Sequence, residues 1–288
     1  MGAGAWGSTQ VERVGGGAYR GDIGPEWVLA MVPQGGVVAA LAARAMQAEL
    51  GTDQQLRSLH GVFTSPVPAG PVEVRAHVLR AGRSASHAEA TVHAPGHDTG
   101  FTALGVFGGT RPGFEVTALR YPDVPPPEAC PGFLDPPPPD VAWEPREPWP
   151  FWTDVLEGRA AMGTPPWERS IGAAPECATW VRFVDQPLQD DGTLDPLSYL
   201  VLVDMMPGAV FEALGPLDDG VRWFAPSIDL SLHVFGPASP GWMLAHARAH
   251  HAGDGYASAE MALWDPRPAD GPALVAWASQ QMFFTRID

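Results

Sequence analysis

Cysteine is nearly absent: Cys130 and Cys177 are the only two in 288 residues, too few for a disulfide framework and too far apart for a local zinc pair. A reducing, cytoplasmic setting is therefore expected. Basic side chains are also scarce, seventeen against thirty-three acidic ones, and the formal charge of −16 opposes binding to nucleic acid or an anionic membrane surface. An anionic small molecule stays compatible, because backbone N–H groups can hold one beneath an acidic exterior. No apolar run reaches the length of a membrane span, and the amino end has neither a basic region nor an apolar core, so no standard export signal is expected. Neither a Gly-x-Ser-x-Gly elbow nor a P-loop occurs, which sets aside α/β-hydrolase and nucleotide-hydrolysis chemistry. Gly2-Ala3-Gly4-Ala5-Trp6-Gly7 has the spacing of a dinucleotide fingerprint, but no strand precedes it, and it is set aside too.

What the chain does have is an internal repeat. The segment from Pro66 through Gly70, Ala76 and Ala81-Gly82 to Ala88-Glu89 recurs without gaps from Pro237 through Gly241, Ala247 and Ala252-Gly253 to Ala259-Glu260. Seven positions coincide, against roughly two expected by chance in a composition this rich in Ala, Gly and Pro. A duplicated fold unit follows, and with it the expectation of a site where the two copies meet. The prolines clustered between Tyr121 and Pro150 cannot donate enough hydrogen bonds to be strand or helix. They read as an extended linker, 121–150, between an N-terminal unit, 1–120, and a C-terminal unit, 151–288.

Element order looks alike on the two sides. In the first unit Gly35-Gly36 opens an almost wholly apolar helix, Val37 to Met46, which should be buried. Strands are expected at Leu59 to Thr64, Val72 to Leu79, Ser84 to His93 and Phe101 to Phe107, each bounded by Pro or Gly turns. In the second, a strand at Trp180 to Val184 precedes a helix from Asp195-Pro196 through Leu214. Strands then follow at Ile228 to Phe235, Trp242 to His250, Tyr256 to Trp264 and Leu274 to Phe284. Ala18 to Asp22 and Thr153 to Ala160 could add a first strand to each unit. The class is α+β: a long helix wrapped by a curved antiparallel sheet, twice over, with the two sheets joined into one.

Asp204 is the one acid in the apolar row Leu200 to Met206, and burying a carboxylate is costly without partners. It is either a functional group or an acid turned to the solvent side or capping a neighbour. Ser227 could be a plain turn hydroxyl after Pro226. Of Gln280 and Gln281, one must face the apolar side of its strand. His246, His250 and His251 alternate with alanines and read as a polar outer face rather than metal ligands. His60 could face the junction or sit satisfied in the core. Met31, Met46, Met205, Met206 and Phe211 fill core, line an acyl tunnel, or both.

Several residue groups together carry a resemblance to the type II (TesB-like) acyl-CoA thioesterases of double-hotdog fold, over nearly the whole chain. They are the Gly35-Gly36 helix start, the Pro66 to Pro71 turn, Leu79 to Ser84, the helix bearing Asp204, Gly255 to Glu260, Leu263 to Asp265, and Leu274 to Gln280. The resemblance implies a hydrolase acting on an acyl-CoA or acyl-carrier thioester in fatty acid metabolism, without metal or organic cofactor, as a homodimer or larger. It further implies that Asp204, Ser227 and Gln280 activate a water, Ser227 standing where the best-known members have Thr. Gly35 and Gly36 would then meet the substrate, the Gly36 N–H polarising the thioester carbonyl, or else they simply permit tight helix packing. His60 is a further substrate-binding candidate. The alternative is a non-hydrolytic acyl-thioester binding protein, or a cyclase or off-loading partner of secondary metabolism, on the same scaffold. Hotdog dehydratase chemistry is disfavoured, since the first helix supplies only Glu49 near its far end and the second carries no His.

Overall fold

The computed structural model describes residues 4–29, 31–51, 53–141, 147–165, 167–168, 173–214 and 222–287. Gly2 and Ala3 of the glycine-rich string lie outside these, and Ala5–Thr9 forms a 3-10 turn with Trp6 buried. In the first half the strands of the main sheet are β1 (Glu12–Gly15), β2 (Ala18–Ile23), β3 (Gln55–Phe63), β4 (Gly70–Arg80), β5 (Ser86–His93) and β6 (Phe101–Gly108). In the second they are β7 (Leu156–Met162), β8 (Glu176–Phe183), β9 (Asp229–Val234), β10 (Met243–Gly253), β11 (Tyr256–Asp265) and β12 (Ala273–Phe283). Among the described residues these twelve strands form one antiparallel sheet in the order β1-β2-β4-β5-β6-β3-β9-β12-β11-β10-β8-β7. The order of one half mirrors that of the other, as a duplication requires, and the halves meet where the equivalent strands β3 and β9 pair, with Ser231 opposite His60.

The repeated turns are alike for a backbone reason. Gly70 and Gly241 both have strongly positive φ, +112° and +118°, which side chains disfavour. Each turn feeds an 11-residue strand, β4 or β10, so the repeated residues belong to architecture.

Helix α1 (Gly35–Leu50) lies against β4, β5 and β6, and its face from Gly36 to Ala43 is buried throughout. Alanines at 39, 40, 42, 43 and 45 keep it slim, so the sheet can wrap it while Leu41 and Met46 fill the gaps. It ends at Gly51, whose left-handed backbone (φ +59°) donates its N–H to the Gln47 carbonyl. Burying a side chain such as Leu41 contributes about 1.5–3 kcal/mol.

The second unit departs from the expected continuous helix. A 3-10 turn at Pro196–Ser198 leads into α2 (Tyr199–Val203), the chain turns at 204–206, and α3 (Pro207–Ala213) follows. Pro207 is the reason: it has no N–H for the Val203 carbonyl and its ring obstructs the preceding turn, so it starts a new helix instead of continuing the old one. Asp204, with ψ +44°, sits in the break.

The proline-rich segment is more than a connector. Leu119, Tyr121, Val124 and Cys130 pack on a second, smaller core formed by Ala178, Trp180, Leu244, Ala262 and Trp264 on the outer face of the second half-sheet. Trp180 donates its indole N–H to the Pro125 carbonyl at 2.9 Å, and Tyr121 meets Trp264 edge-on. Apolar residues on β8, β10 and β11 are thereby covered that would otherwise face water.

Candidate active site

Asp204, Ser227 and Gln280 come together although 23 and 53 residues separate them along the chain. The helix break delivers Asp204, the turn into β9 delivers Ser227, and β12 delivers Gln280. Ser227 donates its hydroxyl to Asp204 Oδ1 at 3.0 Å, and Gln280 Nε2 donates to the same Oδ1 and to Ser227 Oγ, the latter at 2.7 Å. The other carboxylate oxygen, Oδ2, accepts the Gly36 N–H at 2.9 Å. Asp204 is only 7% exposed and Gln280 2%. Burial pushes the Asp204 carboxyl up to about 6, and the donors from Gln280, Ser227, Gly36 and Gly35 hold it from rising further. At neutral pH it is a carboxylate.

Asp204 and Ser227 line a cleft of about 500 Å³, with Gln280 behind them. Its walls are mostly apolar, with Phe63, Trp149, Phe211, Trp223, Phe224 and Phe283 supplying the rings. Asp204 is the one ionisable group among the described lining residues, and Ser227 stands beside it. Phe63 backs onto Phe101, ring centres 4.5 Å apart, and closes the cleft next to Gly35. An apolar chain fits such walls, and the polar chemistry is confined to one point.

Some expected placements differ. His60 lies on the exposed face of β3, its Nδ1 2.6 Å from Ser231 Oγ, and does not line the cleft. Alternation along β3 turns Leu59 and Gly61 inward and His60 outward, so it is not a core histidine and stands apart from the cleft. The Gly36 N–H, expected to meet a substrate carbonyl, is taken by Asp204 Oδ2. A side chain at 36 would stand 2.3 Å from the Leu200 carbonyl oxygen, so this glycine allows α1 to approach α2. Gly35 does line the cleft, packed between Phe63 and Asp204. Met31 and Phe211 line it too, whereas Met46 and Met206 are core. His246 is buried on the outer face, with Nε2 on Glu176 Oε1 at 2.6 Å.

Sequence reasoning missed Gln34. Its Nε2 donates to the Val201 carbonyl at 2.7 Å and to the Asp204 carbonyl at 3.2 Å. Its position directly before a glycine-started helix was the available signal.

A duplicated unit in which a curved antiparallel sheet wraps a central helix, the two sheets joined into one, defines a double hotdog. The chain belongs to the acyl-CoA thioesterase family, matching its N-terminal domain over residues 23–108 and its C-terminal domain over 127–284. Solved structures agree on the fold. A hotdog-fold protein of unknown function from Alicyclobacillus acidocaldarius is 23% identical with a TM-score of 0.75, the match covering 96% of each chain. The acyl-CoA thioesterase II TesB2 of Mycobacterium marinum is 19% identical with a TM-score of 0.72, covering 97% of each. The tesB protein of Mycobacterium avium subspecies paratuberculosis is likewise 19% identical, with a TM-score of 0.71 and 98% of each chain covered. No curated protein sequence matches significantly.

Proposed function

We propose that the chain hydrolyses an acyl-CoA or related acyl-carrier thioester in this cleft, with Asp204 as general base. The observation that carries the reading is the meeting of the Asp204 carboxylate and the Ser227 hydroxyl in the lining of an apolar cleft. The acyl chain lies along the aromatic walls and brings its thioester carbon to that point. Asp204 takes a proton from a water held beside Ser227, the hydroxide oxygen bonds to the thioester carbon, and the positive end of the α1 dipole faces the resulting oxyanion. The C–S bond then breaks, the thiolate leaves with the proton held by Asp204, and a free acid and a thiol result. Gln280 acts from behind: its amide nitrogen is engaged by Asp204 and Ser227, and its Oε1 is sealed from solvent, so it orients the two groups rather than the water.

Thiol release from a panel of acyl-CoA substrates tests this. Release by the wild type that is lost in Asp204→Asn supports the mechanism, and equal release by both removes Asp204 from it. Acyl-CoA binding with no release by the wild type would instead indicate a binding protein on this scaffold.

A further inference from the structure

The break at Pro207 leaves backbone carbonyls at the end of α2 without their helical donors. Pro207 has no N–H for Val203, the Gly208 N–H turns to the Met205 carbonyl at 3.3 Å instead of Asp204, and the N–H that would serve Val201 belongs to Met205, beyond the helix end. The Gln34 side chain enters this gap and gives its amide nitrogen to both the Val201 and Asp204 carbonyls. Two acceptors on one side fix which end of the amide is nitrogen. Gln34 lines the cleft beside Gly35, but it is 4% exposed and its Oε1 is sealed from solvent with no partner among the described residues, so its amide is turned to the two carbonyls rather than into the cleft.

Gln34 occupies the N-cap of α1, where short side chains usually cap their own helix, yet it makes no such bond. Asp204 does that capping, through Oδ2 on the Gly36 N–H. Each helix end is therefore closed by a side chain from the other, and the backbone carbonyl that Gln34 grips belongs to the residue whose carboxylate caps α1.

We infer that Gln34 is a positioning residue, whose amide fixes the backbone of Asp204 so that the carboxylate meets Gly36, Ser227 and Gln280 together. The inference rests on the hydrolytic reading for its effect on rate, but the placement of the carboxylate can be read without turnover. The partners of that carboxylate are neutral on every side: Gly35 and Gly36 on α1, Ser227 before β9 and Gln280 on β12. Its titration therefore reports how well these donors are aligned.

Gln34→Met keeps the volume and removes both donors. In that variant kcat should fall about tenfold or more with KM within about twofold, because a displaced base costs rate without loosening the cleft. The acid limb of the pH–rate profile should move up by about half a pH unit or more as donors to the carboxylate loosen. The same upward shift should appear in a carbon-13 carboxyl titration, assigned by difference from Asp204→Asn. That titration needs no substrate, so a wild type that releases no thiol would overturn the hydrolytic reading while leaving the test of Gln34 intact. Should Gln34→Met fail to fold by circular dichroism, Gln34→Asn, which keeps the donors on a shorter arm, must give a smaller shift in the same direction. An unchanged titration midpoint overturns the inference. A rise in KM alone also overturns it, since that would place the amide against substrate.

Discussion

Gln34 and Asp204 cap each other's helices: the Gln34 amide closes the carbonyl end of α2 at 2.7 Å and 3.2 Å, and the Asp204 carboxylate closes the amide end of α1 at 2.9 Å. The negative end of one helix and the positive end of the other thus meet where the base is held, and the α1 dipole favours its ionised form.

The rate should follow the ionisation of Asp204. Burial raises its carboxyl to about 6 and only the carboxylate can take a proton, so kcat should rise about tenfold per pH unit below 6 and level off above it. Asp204→Asn should lower kcat by about 10²–10⁴-fold and abolish that acid limb. A stopped-flow thiol assay from pH 4.5 to 8 reads both.

Stability should show the opposite dependence. The folded value, about 6, lies above the ordinary 3.8, so the contribution from Asp204 is fully present below pH 3.8 and lost as pH rises through 6. Replacing Asp204 by Asn removes this loss. The stability of Asp204→Asn relative to wild type should therefore improve between pH 4 and pH 7.5, by up to about 3 kcal/mol. Urea unfolding of both proteins at the two pH values measures the difference, and a difference independent of pH would contradict the raised carboxyl.

Gly36→Ala should be costly. The new methyl would stand 2.3 Å from the Leu200 carbonyl oxygen and 2.7 Å from the Val201 Cα, both backbone atoms that cannot turn aside. A loss of about 1–3 kcal/mol or more is expected in chemical denaturation. Gly35→Ala meets the Phe63 ring edge and Asp204 Oδ2, at 2.7 Å and 3.0 Å, and should reduce kcat more than stability.

Pro207→Ala restores an N–H to which the Val203 carbonyl can bond, letting α2 run on through Asp204. The carboxylate would swing away from Ser227 and Gln280, and kcat should drop about 10–100-fold while the melting temperature changes little. A gain in helical circular dichroism should accompany the loss of rate. His60→Ala, on the outer face, should leave both kcat and KM unchanged, which separates the sheet junction from the cleft.

The sequence by itself determined the duplication, the order of strands and the buried first helix, because period-2 alternation, turn glycines and an unbroken apolar run are local signals. It also marked Asp204, since an acid in an apolar row has few inexpensive explanations. The break was not read from it: a helix was expected to run through Pro207 to Leu214, although Pro207 has no N–H for the Val203 carbonyl. Only the tertiary structure decided which of Gln280 and Gln281 turns inward, that His60 turns outward, and that the prolines of the linker cover a sheet face, because each depends on which side of the sheet another element occupies. The partners of Gly36 and Gln34 depend on contacts across 167 to 170 residues, made when two helix ends left open by local structure close on each other.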